Sequence, residues 1–171
     1  MNARSRSFRS IPGPRTLNLL IFLAATGLIV AALFMQYGLG LEPCYLCIVQ
    51  RVFVILTGLV ALLAWLHNPG LTGRRAYGAL TMLTSMGGGF FSVRQLRLQG
   101  LPEDLVPACG PPADYLFGAF PLLEVMPILL RGDGNCALVQ WSLFGISIPG
   151  YTLMAFSGLA LLGLFQLARK N

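Results

Sequence analysis

Four cysteines, Cys44, Cys47, Cys109 and Cys136, carry the chemistry open to this chain. Two of them form a C-x-x-C, Cys44-Tyr45-Leu46-Cys47. That spacing serves either thiol–disulfide exchange or zinc binding. A zinc site would want a second close pair of ligands. Cys109 and Cys136 are far apart in sequence, and the only histidine, His67, follows a different hydrophobic segment. Redox chemistry is therefore favoured, with no metal expected. A purely structural disulfide between Cys44 and Cys47 would add little, because the loop it closes is tiny. Nor can a Ser/His/Asp or Cys/His arrangement be assembled around His67.

Pro43 precedes the motif, and proline is common where helices begin. Cys47 is thus expected in the first turn of a helix, where the positive end of the helix dipole favours a thiolate. Arg51 follows four residues later on the same face, with Cβ atoms about 6 Å apart. A guanidinium there would favour the thiolate further and could donate to a carbonyl oxygen. The bland alternative is an arginine that only anchors the helix at a membrane surface. Cys109 sits in Pro107-Ala108-Cys109-Gly110-Pro111-Pro112, which reads as extended and exposed. Another protein's thiol could reach it. Taken alone, Cys109 and Cys136 read as a staple for a loop without a core. Beside a C-x-x-C, an exchanging pair is favoured.

The elements that hold these cysteines are membrane elements. Hydrophobic residues make up 56% of the 171 residues and charged residues 11%, against about 25% charged in a soluble domain. Residues 16–41, 76–93 and 136–168 contain no charge, and a shorter stretch, 52–66, reaches back through Leu46 if Arg51 lies near the surface. A bilayer core of about 30 Å needs about 20 helical residues, so each stretch holds one span. The first is too long for a cleaved signal peptide. The expectation is a single all-α membrane domain over 1–171, a four-transmembrane-helix bundle with spans near 16–38, 46–66, 76–94 and 150–168. A short outer loop (38–46) and a long one (94–149) then carry all four cysteines. Within 137–148, Trp141, Phe144 and Ile148 fall on one helical face. That predicts either a helix lying in the interface or a simple extension of the last span. Gly87-Gly88-Gly89, inside the third span, reads as a site of close helix packing.

Charge sets the orientation. Arg4, Arg6, Arg9, Arg15, Arg74, Arg75, Arg169 and Lys170 fall on the side of the termini, which has no acidic residue. All six acidic residues, Glu42, Glu103, Asp104, Asp114, Glu124 and Asp133, fall on the cysteine side. The positive-inside rule puts both termini in the cytoplasm. It also accounts for the net charge of +6 without nucleic acid.

These residues resemble the disulfide bond formation protein B (DsbB) family of bacterial inner membranes. The likeness is carried by Pro43-Cys44-Tyr45-Leu46-Cys47-Ile48 with Arg51, and by Arg94 with Leu98-Gln99. It continues through Pro107-Ala108-Cys109-Gly110-Pro111, Asp114-Tyr115, Phe120-Pro121-Leu122, Gly134-Asn135-Cys136-Ala137 and Trp141. Tyr45 stands where a small aliphatic residue is common, and Arg97 where an aromatic is common. The resemblance implies a catalytic role for all four cysteines in a quinone-dependent protein-disulfide oxidoreductase. A periplasmic DsbA-like thiol oxidase would attack a Cys109–Cys136 disulfide at Cys109. Electrons would pass by exchange to Cys44–Cys47 and on to a membrane quinone, ubiquinone or menaquinone, contacted by Arg51. The rival class is a four-span structural scaffold with a disulfide-stapled outer loop. A C-x-x-C at the mouth of a span has no task in that scheme.

Overall fold

The computed structural model describes residues 13–169. Arg4, Arg6, Arg9 and Lys170, part of the basic side inferred above, lie outside the described residues. Six α-helices follow in order: α1 (Pro14–Gly38), α2 (Tyr45–His67), α3 (Leu71–Gln99), α4 (Ala113–Ala119), α5 (Leu122–Arg131) and α6 (Ile148–Ala168).

Local chemistry explains the helix ends. Pro14 opens α1, where its fixed φ suits the first turn and its missing N–H is no loss. Cys44, extended after Pro43, is the N-cap of α2. Asn68 closes α2 in the left-handed conformation, its N–H bonded to the Ala64 carbonyl, and Pro69-Gly70 forces the turn into α3.

Three helices, α1, α2 and α6, are long and apolar enough to cross a membrane. The fourth long helix, α3, has 29 residues but is more polar than the other three. Thr81, Ser85, Ser92 and Gln95 are all buried along it. Four spans are expected from charge-free length, whereas three helices meet the stricter test of apolarity. The difference lies in those inward-facing polar side chains. α3 also begins five residues before the expected span and continues past Arg94 to Gln99, ending at Gly100.

α3 packs along α6 and α2, and α2 packs along α1, while α1 meets α6 only sparingly. Small residues permit the close pairs. A Cβ on Gly88 would overlap the Phe156 ring of α6, and one on Gly87 the Phe53 ring of α2. Lower down, Gly78 and Gly163 bring the backbones of α3 and α6 together. Such contact is the usual driving force for helix association where lipid is as apolar as leucine. The loose seam between α1 and α6 leaves a cleft.

The long outer segment is folded. α4 and α5 lie over the first turn of α2, with Leu116, Val125 and Leu129 clustered on Tyr45, Leu46 and Cys136. Residues 137–148 form neither an interfacial helix nor an extension of α6. They make a short antiparallel hairpin, Ser142–Leu143 with Ile146–Ser147. Its two-residue turn has positive φ at Phe144 (51°) and Gly145 (78°). That is the twist a tight hairpin requires, and it outweighs the weak amphipathicity of the stretch.

Replacing Gly88 by alanine tests the α3–α6 contact. Phe156 is 1% exposed, so its ring has little room to yield, and overpacking of this kind costs about 1–3 kcal/mol. Gly88→Ala should lower the thermal midpoint in detergent. Gly27→Ala, which meets nothing within 4 Å, should leave it unchanged.

Candidate functional site

The site is built on the first turn of α2. Leu46, fully buried, is the apolar plug between the membrane helices and the outer layer. Gly132, at φ 73°, brings its backbone against the Leu46 side chain. Tyr45 donates from its hydroxyl to the Pro111 carbonyl, tying the Cys109 segment to α2. The residue that departs from the family pattern is therefore a fastener for the outer loop.

This packing brings three of the four cysteines together. The Cys44 and Cys47 sulfurs are 3.0 Å apart. Cys136, with no exposed surface, packs against Cys44, and its Sγ lies 3.4 Å from Asp133 Oδ1. The neighbouring Cys44 thiol holds the Cys136 thiol below its ordinary pKa, and the Asp133 and Leu46 backbone N–H groups add to the effect against burial and the Asp133 charge. The same contact, with a further bond to Cys47 and burial, pushes the Cys44 thiol far up. The field of the α2 N-terminus, expected to act on Cys47, therefore also serves Cys136, which arrives from the far end of the outer loop.

Cys109 is exposed in a stretch without regular structure. It is pinned against the segment leading to Cys136. Gly110 N–H donates to Asp133 Oδ2 (2.8 Å), Asn135 Nδ2 donates to the same oxygen (2.7 Å), and Gly134 N–H donates to the Ala108 carbonyl. The Cys109 sulfur lies so close to Gly134 that a Cβ there would touch it at 3.0 Å. One cysteine of the outer pair is thus open to a visitor, and the other is buried against Cys44.

On the membrane side, Cys47 and Arg51 line the cleft between α1, α2 and α6. The cleft encloses about 730 Å³ of atom-free space, its open side included. Ile29 and Met35 of α1 and Phe156 of α6 make apolar walls, while Gln50 and Thr152 add polar groups. Arg51 does not reach back to Cys47. Its Nη1 donates to Gln36 Oε1 and its Nη2 to the Ala32 carbonyl (3.2 Å). The sulfur of Cys47 instead meets Gln95 of α3, whose Nε2 lies 3.3 Å away. Arg94, next to it, donates to the Arg131 carbonyl and so holds the end of α5.

Sequence reasoning did not single out Gln95, Gln50, Gln36 or Tyr45 as functional, and it counted Asp133 only as a charge. For Gln36 and Gln50, a lone glutamine on an apolar helix was the available signal.

The lowered Cys136 pKa gives a pH test. Thiolate is present above that pKa, so exchange that uses Cys136 as nucleophile should keep its rate to lower pH than an ordinary thiol, near 8.5, would allow. Cys44→Ala removes the main cause. Read by thiolate absorbance in a chain that also lacks Cys47 and Cys109, the Cys136 midpoint should then move to higher pH across pH 5–9, a range about the reference value. An unmoved midpoint would count against the Cys44–Cys136 contact.

The family model for disulfide bond formation protein DsbB matches residues 14–166. A disulfide bond formation protein B of Saccharophagus degradans is 51% identical over 94% of this chain and 96% of its own length. One of Hahella chejuensis is 49% identical over 91% and 94%, and disulfide bond formation protein B 1 of Pseudomonas aeruginosa is 43% identical over 94% and 98%. With every cysteine, the cleft and the fastening of the outer loop inside the matched span, the chain belongs to the DsbB family.

Proposed function

We propose that this chain is a quinone-dependent disulfide oxidoreductase of a bacterial inner membrane. It reoxidises a periplasmic DsbA-like dithiol oxidase and passes the electrons to a membrane quinone. The observation that carries the reading is the position of Cys44, in contact at once with Cys47 and with Cys136. A disulfide that only stapled a loop would not need that junction.

Thiol exchange along this line balances. A partner thiolate attacks Cys109 of a Cys109–Cys136 disulfide, forming the mixed disulfide and releasing the Cys136 thiolate. Cys136 attacks Cys44 of a Cys44–Cys47 disulfide and releases the Cys47 thiolate at the cleft. The partner's second thiol resolves the mixed disulfide and frees Cys109. Cys109 then attacks Cys136, re-forming the outer disulfide and releasing Cys44. One electron pair has moved from the partner to Cys44 and Cys47. Exposure of Cys109 suits the first step, and the packing of Cys136 against Cys44 suits the second.

A quinone bound in the cleft supplies an acceptor for two electrons and two protons. The apolar walls would hold its ring and tail, Cys47 would present sulfur to it, and Arg51 would offer donors to a carbonyl oxygen. Gln36 and the Ala32 carbonyl anchor the guanidinium at the wall, so its reach is fixed before any ligand arrives. In this reading α3 is a fourth span, its polar face sealed against α2 and α6. Both termini are cytoplasmic, and the outer layer with Cys109 and Cys136 is periplasmic.

Alkylation of the cysteines tests the whole reading. Adding a soluble quinone to the reduced chain should oxidise Cys44 and Cys47. Thiols of a scaffold would not respond. Cys109→Ser should abolish oxidation of a DsbA-like protein while a small dithiol still reduces Cys44–Cys47 slowly. A normal rate with the partner protein would remove Cys109 from the path.

Arg51→Lys keeps the charge but loses the fork that reaches both Gln36 and Ala32. Losing one hydrogen bond to a charged group costs about 1.5–3 kcal/mol. Quinone reduction should slow roughly tenfold or more by that figure, with membrane insertion intact. Wild-type quinone kinetics would leave Arg51 as an anchor only.

A further inference from the structure

The nearby cation hydrogen-bonds to α1 and not to the thiol pair at the cleft. Gln95 of α3, 3% exposed, places its Nε2 at 3.2 Å from Cys44 Sγ and 3.3 Å from Cys47 Sγ. Its Oε1 lies 3.7 Å from Cys47 Sγ, farther than the Nε2, and is bonded on its other side. Gln50 Nε2 donates to Gln95 Oε1 at 2.8 Å, and Thr152 Oγ1 of α6 donates to Gln50 Oε1 at 2.7 Å. Ser92 Oγ lies 3.1 Å from Thr152 Oγ1. Ser92 and Gln50 are buried too, at 0% and 3% exposure. Three helices thus contribute to one chain of hydrogen bonds, and the chain ends on the two sulfurs.

The chain has a direction. Thr152 Oγ1 lies 2.7 Å from Gln50 Oε1 and 3.0 Å from the Pro149 carbonyl; where its one proton goes to Gln50, the Gln50 NH₂ faces Gln95. Gln95 Oε1 accepts from that NH₂, so the Gln95 NH₂ faces the sulfurs. Turning Gln95 alone would set NH₂ against NH₂. An apolar side chain would fill the same place without the cost of burying an amide, so the amide needs a reason that packing does not supply.

We infer that Gln95 is a positioning residue for the Cys44–Cys47 pair, aimed by Gln50 and Thr152, whose N–H groups stabilise the reduced pair relative to its disulfide. This rests on the exchange reading proposed above. A thiolate is a strong acceptor and a disulfide sulfur a weak one, so the donor acts mainly on the reduced state. Stabilising the reduced form makes a disulfide more oxidising. In a site away from water each such bond counts for more than at a surface. When Cys136 attacks Cys44, the bond that breaks leaves its electron pair on Cys47, and Gln95 is already in place beside that sulfur. Arg51, engaged with α1, makes no such contact.

The test uses the full chain in nanodiscs with Cys109→Ser and Cys136→Ser, so that only the Cys44–Cys47 couple titrates. The couple is equilibrated against graded reduced and oxidised glutathione and read by alkylation and mass. Gln95→Met keeps the volume and removes the donor. It should make the pair about tenfold less oxidising at equilibrium, which is about 30 mV for a two-electron couple. Gln95→Glu, with an acceptor in place of the donor, should move it further the same way. Thr152→Val, which only releases Gln50, should move it less.

A packing role would not produce that order. Midpoints for both Gln95 variants within about twofold of the parent would overturn the inference. If Gln95→Met failed to reach the membrane, the Gln95→Glu and Thr152→Val shifts would decide it in the same way. A parent couple that formed no disulfide at any glutathione ratio would overturn the exchange reading and this inference with it. A parent that titrates beside unmoved Gln95 variants would overturn this inference alone.

Discussion

The first turn of α2 stands where two environments meet, and the rest of the molecule is arranged around the polar groups exposed there. A helix N-terminus leaves backbone N–H groups without partners inside the helix. Inside a bilayer those groups would be costly. Here the folded outer layer covers them, and the Leu46 N–H favours charge on the Cys136 sulfur. The long outer segment is therefore no passive connection. It closes the end of α2, and in closing it carries a cysteine from far along the chain to Cys44. Leu46 and Gly132 set the depth of that closure, and Tyr45 ties its other limb.

The same constraint explains why α3 is the least apolar long helix. A polar side chain facing lipid would find nothing to bond, so Ser92 and Gln95 face inward and bond across to α2 and α6. Glycines let α3 approach those helices closely, and close approach brings amide and hydroxyl groups within bonding distance. Packing and chemistry are coupled in this helix. The glycines that make it unremarkable by hydropathy also allow its glutamine to reach the thiol pair. The cleft, by contrast, sits on the seam where α1 and α6 barely touch, on the opposite side of Cys47 from Gln95 in the helix order.

Much of this was legible in the sequence, and the limits are physical. Cys44-Tyr45-Leu46-Cys47 after Pro43 marks a helix start, and α2 begins there because proline and an extended cap leave no other register. Charge-free length located α1, α2 and α6 to within a few residues. It also suggested α3, but length and charge do not report which way a serine or a glutamine faces. The hairpin at 142–147 escaped because its signal is local. One glycine behind a phenylalanine, both at positive φ, settled the turn, while the helical spacing of Trp141, Phe144 and Ile148 pointed elsewhere. Arg51 was placed on the correct face by i, i+4 spacing. Its partners were invisible, since they lie on α1, and only the tertiary arrangement shows that the guanidinium hydrogen-bonds there and not to the sulfur.

That pairing changes how the site divides its work. One cation serving both a thiolate and a bound carbonyl would have to compromise between two acceptors. Separating the tasks removes the conflict. A neutral amide holds the sulfurs without adding charge beside a buried thiol pair, so the pair can change redox state with little electrostatic reorganisation around it. The cation, anchored on α1, faces the cleft, where an oxygen gaining charge would need it most. If a quinone binds the cleft as proposed, neutral donors at the thiols and a cation at the acceptor side would together favour movement of an electron pair from the first to the second. The hydrogen bonds that set this asymmetry are all in place before a ligand arrives, so little ordering is left to occur during the transfer.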